Sequence, residues 1–255
     1  MAPLRALDLF SCVGCHALGL QRAGIETVAF CEIVGWRRSV IARNFPGTPI
    51  YDDIRTLPAI KADVVIGGPP CQATSVAAAI AGRRTGETLW PWMLRAGLDA
   101  GAEWYVVEQP PGNAAWEAAV TRDLSDAGYH TGRFEFAASD IGAPYLRRRV
   151  LLVASTSLAR LAIAREALPR AIEHVKRAAD ARGDWNPAAI PPFGMATWRA
   201  EKLDERRQRI EALGDSNPPH MAEIIGLAIQ GEIGRALGPD EPVVPGFLSA
   251  TQSRL

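Results

Sequence analysis

Cysteine is scarce in this sequence. Four in 255 residues make no disulfide framework, so a reducing compartment, the cytoplasm, is the expected setting. Net charge is absent as well, with 28 basic side chains against 28 acidic ones, so any site for a polyanion must be a local patch. No run of about 18 apolar residues occurs, which excludes a membrane-spanning helix. The opening MAPLRALDLF lacks the apolar core of a secretory leader, and none is expected. No internal repeat is seen. His16, His130, His174 and His220 are scattered, and the single CxxC at Cys12 and Cys15 has no second pair, so no metal site is expected. What remains is ordinary globular composition, 48% hydrophobic and 22% charged, which rules out wholesale disorder and fibrous repeats.

Short apolar runs alternate with helical patterns along the chain. Strands are predicted at 4–9, 26–32, 62–68, 104–112, 130–139 and 148–155, with PGTPIYDDIR read as a turn and helices between most of the strands. Such alternation gives an α/β fold with a doubly wound, mostly parallel sheet, in which ligands sit at the carboxyl ends of strands. Residues 155–204 differ. A helical stretch, LARLAIAREAL, leads into a run rich in Pro, Gly and Trp, so this region is expected to be a small appendage. The main domain is then 1–154 plus 205–237, and 238–255 reads as an irregular tail.

Chemistry-bearing residues gather at the predicted strand ends. Asp8 closes the first strand, and the tight turn after it contains Ser11, Cys12 and Gly14. An acid, a close-approach turn and a helix N-terminus suit a nucleoside-bearing cofactor. Glu32 closes the second strand, where a carboxylate can accept both hydroxyls of a ribose. Either acid alone also fits a helix cap or a plain loop residue. Cys71 follows Pro69 and Pro70, which stiffen the loop and hold the sulfur at a rigid point. Arg83, Arg84, Arg147 and Arg149 are available to favour its thiolate. Glu108 closes another strand, where a pocket carboxyl can donate a proton.

In this order the pieces resemble the cytosine-5 DNA methyltransferase family through most of the chain. Asp8-Leu-Phe-Ser-Cys-Val-Gly-Cys15 is similar to the family's Asp-Leu-Phe-x-Gly-x-Gly-Gly opening, with Phe10 near the adenosine. Phe30-Cys-Glu32, with Ile33 beside it and Asn44-Phe-Pro46 beyond, looks like the second motif. Asp53-Ile54 resembles the Gly-Asp-Ile motif. Pro69-Pro-Cys71-Gln72 is the nucleophile motif, and Thr88-Leu89-Trp90 resembles a segment lining the cofactor pocket. Glu108, then Arg147 and Arg149, then Gly214-Asp215-Ser216 complete the series. The resemblance implies a Rossmann-like S-adenosylmethionine-dependent methyltransferase fold with a small target-recognition appendage. It implies S-adenosyl-L-methionine as donor, S-adenosyl-L-homocysteine as product, and double-stranded DNA as the partner of a monomer. Cys71 would be the nucleophile, with Glu108, Arg147 and Arg149 catalytic. The cofactor would meet Asp8, Phe10, Ser11, Cys12, Gly14, Cys15, Glu32, Ile33, Asp53, Ile54, Pro69, Leu89, Asp215 and Ser216. DNA, with the target base flipped out of the duplex, would be contacted by Gln72, Ser75, Arg83, Arg84, Trp185 and Arg199.

The sequence departs from the family at several points. Cys12 and Cys15 stand for two glycines of the cofactor turn, Gln109-Pro110 for Asn-Val, Tyr145 for Gln, and Asp215 for an Asn that would lie near the transferred group. These changes leave two other readings open, an enzyme that transfers a modified alkyl group and a catalytically weak DNA-binding regulator, and the neutral charge and small appendage leave open a third, an RNA or tRNA cytosine-5 methyltransferase.

Overall fold

Strands buried at every position mark the centre of the molecule. β4 (Val64–Gly67) and β5 (Trp104–Gln109) expose nothing, because helices cover both of their faces. With β1 (Arg5–Leu9), β2 (Glu26–Cys31), β3 (Ile50–Tyr51), β6 (His130–Ala137) and β7 (Arg148–Ser155) they form one sheet of order β3-β2-β1-β4-β5-β7-β6. The computed structural model describes residues 2–70, 88–186 and 203–231. β1 to β5 run parallel, while β7 runs antiparallel between β5 and β6.

Helices pack on both faces. α1 (Cys15–Arg22), α5 (Leu158–Arg182) and α7 (Pro219–Gln230) cover one face, where Trp104, Val106, Leu151 and Val153 meet Leu20, Leu161 and Ile224. α3 (Trp90–Ala100) and α4 (Ala114–Asp126) cover the other, where Tyr105, Val107, Val150 and Leu152 meet Met93, Val120 and Leu124. α2 (Gly35–Asn44) follows β2, and α6 (Leu203–Asp215) precedes α7. α1 and α7 cross closely at Gly19, where any β-carbon would overlap the Pro219 carbonyl oxygen and lie 2.8 Å from the Ala222 Cβ.

Three expectations are corrected. The stretch read as a turn contains β3, whose pairing is carried by backbone: the Phe30 and Glu32 amides donate to the Pro49 and Tyr51 carbonyls at 2.9 and 3.0 Å. Two residues are too few to show a periodic pattern. The strand expected over 130–139 stops at Ala137, because Asp140 accepts the Ala137 amide at 2.7 Å and winds residues 138–141 into a 3-10 turn. The third concerns the appendage expected over 155–204. α5 runs for 25 residues through Pro169, with Leu161, Ala164, Ala167, Ala171 and Val175 in the main core and Ala179 also buried. Packing along this three-to-four-residue stripe outweighs the hydrogen bond that proline removes. Residues 158–182 are therefore a layer of the domain. Residues 187–202 and the tail 238–255 lie outside the described residues.

Candidate active site

The strand order reverses between β1 and its two neighbours β2 and β4, and sheets of this kind open a crevice at that point. The turn after β1 forms one wall. Phe10, Cys12 and Gly14 all take positive φ, at 55°, 51° and 88°. Non-glycine residues there cost on the order of 1 kcal/mol each, so the turn must be held from outside. It is: the Ser11 hydroxyl donates to the Asp8 carbonyl at 2.7 Å, and the Ser11 amide donates to the Cys31 carbonyl at 3.2 Å. Glu32 accepts the Cys12 amide on one oxygen and the Val34 amide on the other, each at 2.8 Å. Burial pushes the Glu32 carboxyl up, against those two donors and Arg37.

The two cysteines in this turn point inward. The Ser216 hydroxyl donates to Cys12 Sγ at 3.1 Å. Burial pushes the Cys12 thiol up to about 11 and the Cys15 thiol up to about 12. At pH 8 both are almost wholly protonated, so the native protein should resist iodoacetamide at Cys12 and Cys15 and react there only once unfolded. Peptide mass mapping with and without denaturant checks this, and rapid native alkylation at either thiol would contradict it. The shifts also carry a stability consequence. Above pH 9 the unfolded chain loses these protons while the folded chain keeps them, so stability falls as pH rises from 9 towards 11.

A small open cleft lies beyond the turn. Phe10, Ser11, Cys12, Cys15 and His16 line one side, Gly68 and Glu108 the floor, and Asp215, Ser216 and Asn217 the opposite side. Glu108, at the end of β5, is buried and ion-paired with Arg149 Nε at 2.6 Å. No aligned hydrogen bond is spent on its Oε1 among the described residues. Gly68 allows this placement, since a β-carbon there would sit 2.6 Å from Glu108 Oε2. Gln109 donates to the Pro69 carbonyl at 2.7 Å and so braces the chain that leads into Pro70 and Cys71. Arg147 Nη2 donates to the Gly214 carbonyl at 2.7 Å and to the Ser216 carbonyl, which fixes the far wall. Burial and the neighbouring Arg149 pull the Arg147 pKa down.

The structure thus gathers Phe10, Ser11, Cys12, Cys15, Glu108, Asp215 and Ser216 around one cleft, with Asp8 buried next to it and Arg147 and Arg149 bracing it. Glu32 lies under the turn, and the Ile33 side chain beside it is 62% exposed. Ile54 and Pro69 are buried, and Leu89 is half-buried. Asp53 lies after β3 and is not among the residues that line the cleft, and the Arg55 backbone amide and guanidinium hold its carboxyl below the usual range. Asp215 is not a bare charge: Arg37 Nη2 contacts its carboxylate at 2.5 Å. Trp185 is used in packing, donating to the Ile141 carbonyl at 2.9 Å and stacking on His220 with ring centroids 4.5 Å apart. Cys71, Gln72, Ser75, Arg83, Arg84 and Arg199 lie outside the described residues.

Sequence reasoning missed His16, Arg37 and Asn217. His16 follows Cys15 directly on the first turn of α1, which was the available signal. The buried oxygens with no hydrogen-bond partner among the described residues include Asp8 Oδ2 and, in the cleft lining, Asn217 Oδ1. Leaving such atoms unpaired costs about 1–3 kcal/mol each, so the cleft fits a ligand that carries polar donors. Among the described residues no cluster of His, Cys, Asp or Glu could hold a metal, and no helix is long and apolar enough to cross a membrane.

The sheet order and the strand-end crevice define the class: this is the fold of the S-adenosylmethionine-dependent methyltransferases. A crystal structure of Spodoptera frugiperda DNMT2, in a mutant form, superposes with a TM-score of 0.51 at 20% identity, over 61% of this chain and 51% of that one. Residues 4–178 match the family model for C-5 cytosine-specific DNA methylase, and the chain belongs to that family. It is 34% identical over 167 residues to Type II methyltransferase M2.BsuMI of Bacillus subtilis, covering 60% of this chain and 42% of the relative. It is 30% identical over 169 residues to Type II methyltransferase M1.HphI of Haemophilus parahaemolyticus, covering 59% and 45%. The chain thus spans less than half the length of these two relatives.

Proposed function

We propose that the protein methylates carbon 5 of cytosine in double-stranded DNA, acting as a monomer on one flipped-out base in the cytoplasm of a bacterial or phage-infected cell. The observation that carries this reading is the Glu108–Arg149 pair. It faces the same cleft as the β1 turn, at the foot of the Gly68-Pro69-Pro70 segment that leads into Cys71. Aromatic carbon 5 is a weak nucleophile, and a thiolate that adds at carbon 6 moves the ring electrons onto carbon 5. Cys71 takes that role. Glu108, in its acid form when the base is bound, donates to ring nitrogen 3 and accepts from the exocyclic amine, and so stabilises the charge that develops on addition. Arg149 positions the Glu108 carboxyl group, and Arg147 fixes the 214–216 wall. Bound S-adenosyl-L-methionine supplies a methyl group activated on a sulfonium. Asp8, Phe10, Ser11, Glu32, Asp53, Asn217 and Ser216 are the residues that would hold it, with the Arg37–Asp215 pair at its rim. Loss of the carbon-5 proton then restores the ring and expels Cys71.

Mass spectrometry of nucleosides from cells that express the chain tests this. 5-Methylcytosine is expected in DNA with the intact chain and absent with Cys71→Ala. An unmodified genome with folded protein present overturns the reading, and methylation confined to RNA moves the substrate to RNA.

A further inference from the structure

One ionisable group in the cleft has no part in the steps above. His16 lies on the first turn of α1 with its side chain 12% exposed, and its ring lines the cleft. Its Nδ1 is 3.3 Å from Asp8 Oδ1. Asp8 is fully buried, and that pairing turns Nδ1 towards the carboxylate. Nε2 has no hydrogen-bond partner among the described residues, yet it is not sealed in the interior. An imidazole oriented through one nitrogen by a buried carboxylate, with the other nitrogen facing a substrate cleft, is an arrangement built for proton transfer. Glu108, which would grip the cytosine, lines the same cleft.

We propose that His16, held by Asp8, is the base that removes the carbon-5 proton after methylation. This rests on the reading of the site as a cytosine methyltransferase. In the step the C5–H bond breaks and its electron pair forms the C5–C6 double bond. As that double bond forms the C6–S bond breaks, its pair leaves on the Cys71 sulfur, and the proton passes to His16 Nε2. Burial opposes the imidazolium, but Asp8 and Glu108 outweigh it and raise the His16 pKa above the ordinary histidine value, which makes the ring a stronger base.

The test uses DNA tritiated at cytosine carbon 5, with His16→Gln and His16→Ala beside the wild-type protein. A positioned general base is worth about 100-fold or more in rate. For both variants, tritium release should fall by about that factor relative to first-turnover methyl transfer, and a denaturation-resistant methylated protein–DNA adduct should accumulate. Added imidazole should restore release to His16→Ala, which a merely structural role would not allow. If tritium release and methyl transfer fall together in both variants, and imidazole restores nothing, the proposal is overturned. A separate arm checks the underlying reading: wild-type protein should form a stable adduct with 5-fluorocytosine DNA that requires Cys71. Failure there overturns the cytosine methyltransferase reading itself, whatever the His16 variants do.

Discussion

Glu108→Gln should lower kcat on cytosine-containing DNA by about 1000-fold, the scale seen when a preorganised transition-state donor is removed. Glutamine keeps the length and nearly the shape, so the floor of the cleft at Gly68 is not refilled. What disappears is the carboxyl group. A neutral amide neither pairs with Arg149 nor offers ring nitrogen 3 a proton it can give up. Because the group acts mainly as charge develops, kcat should fall much more than KM rises. Arg149 loses its partner too, but its side chain stays 15% exposed, so the fold should survive and the loss can be read per folded molecule. Single-turnover kinetics with a thermal melt on the same sample is the measurement. A kcat within tenfold of wild type would remove Glu108 from the chemistry.

Gly19→Ala should be the most damaging single-methyl change in the fold. The new β-carbon would overlap the Pro219 carbonyl and press on Ala222 and the Glu223 amide, which are backbone and short side chains of α7 with nowhere to go. Overpacking of a fixed backbone contact costs about 3 kcal/mol, or roughly 6–12 °C in Tm for a chain of this size. Gly214→Ala is the control. Nothing lies within 4 Å of its added carbon, and the position is an exposed helical one, so the melt should move little or rise slightly. Equal melts for the two variants would show that α1 can slide away from α7. Such a slide would also move the cleft wall, because Ser216 and Asn217 immediately precede α7.

The sheet was legible because its central strands are continuous apolar runs bounded by Gly and Pro, the signature of strands covered on both sides. Asp8, Glu32 and Glu108 stood out as acids closing such runs, and each lies within one residue of a strand's carboxyl end. What pattern alone could not give was pairing. β3 exists through two backbone hydrogen bonds, and Arg37 meets Asp215 across 178 residues of chain. The extent of α5 was hidden by Pro169, which local rules treat as a stop although the buried stripe continues through Ala171, Val175 and Ala179. Trp185 resembled a nucleic-acid contact because an aromatic in a Pro- and Gly-rich stretch carries no sign of the ring it will stack on. His16 went unnoticed for a related reason. A histidine acquires meaning from the group beside it, and Asp8 lies eight residues earlier, on another element.

The reversed direction of β7 sets how the acid of the cleft meets its arginine. In the β5–β7 ladder Glu108 stands opposite Leu151, so Arg149, two residues away on the same face, reaches it diagonally. Arg148 points the other way and pairs with Glu135. Side chains alternate at every step of a strand, so inserting one residue just before Val150 would turn Arg149 away from the Glu108 face of the sheet. The hairpin thus works as a ruler: the spacing of charge in the cleft is metered by strand register. Lineages of this chain should therefore keep the residue count between Arg149 and Leu151 fixed, since a single insertion there parts Glu108 from its arginine.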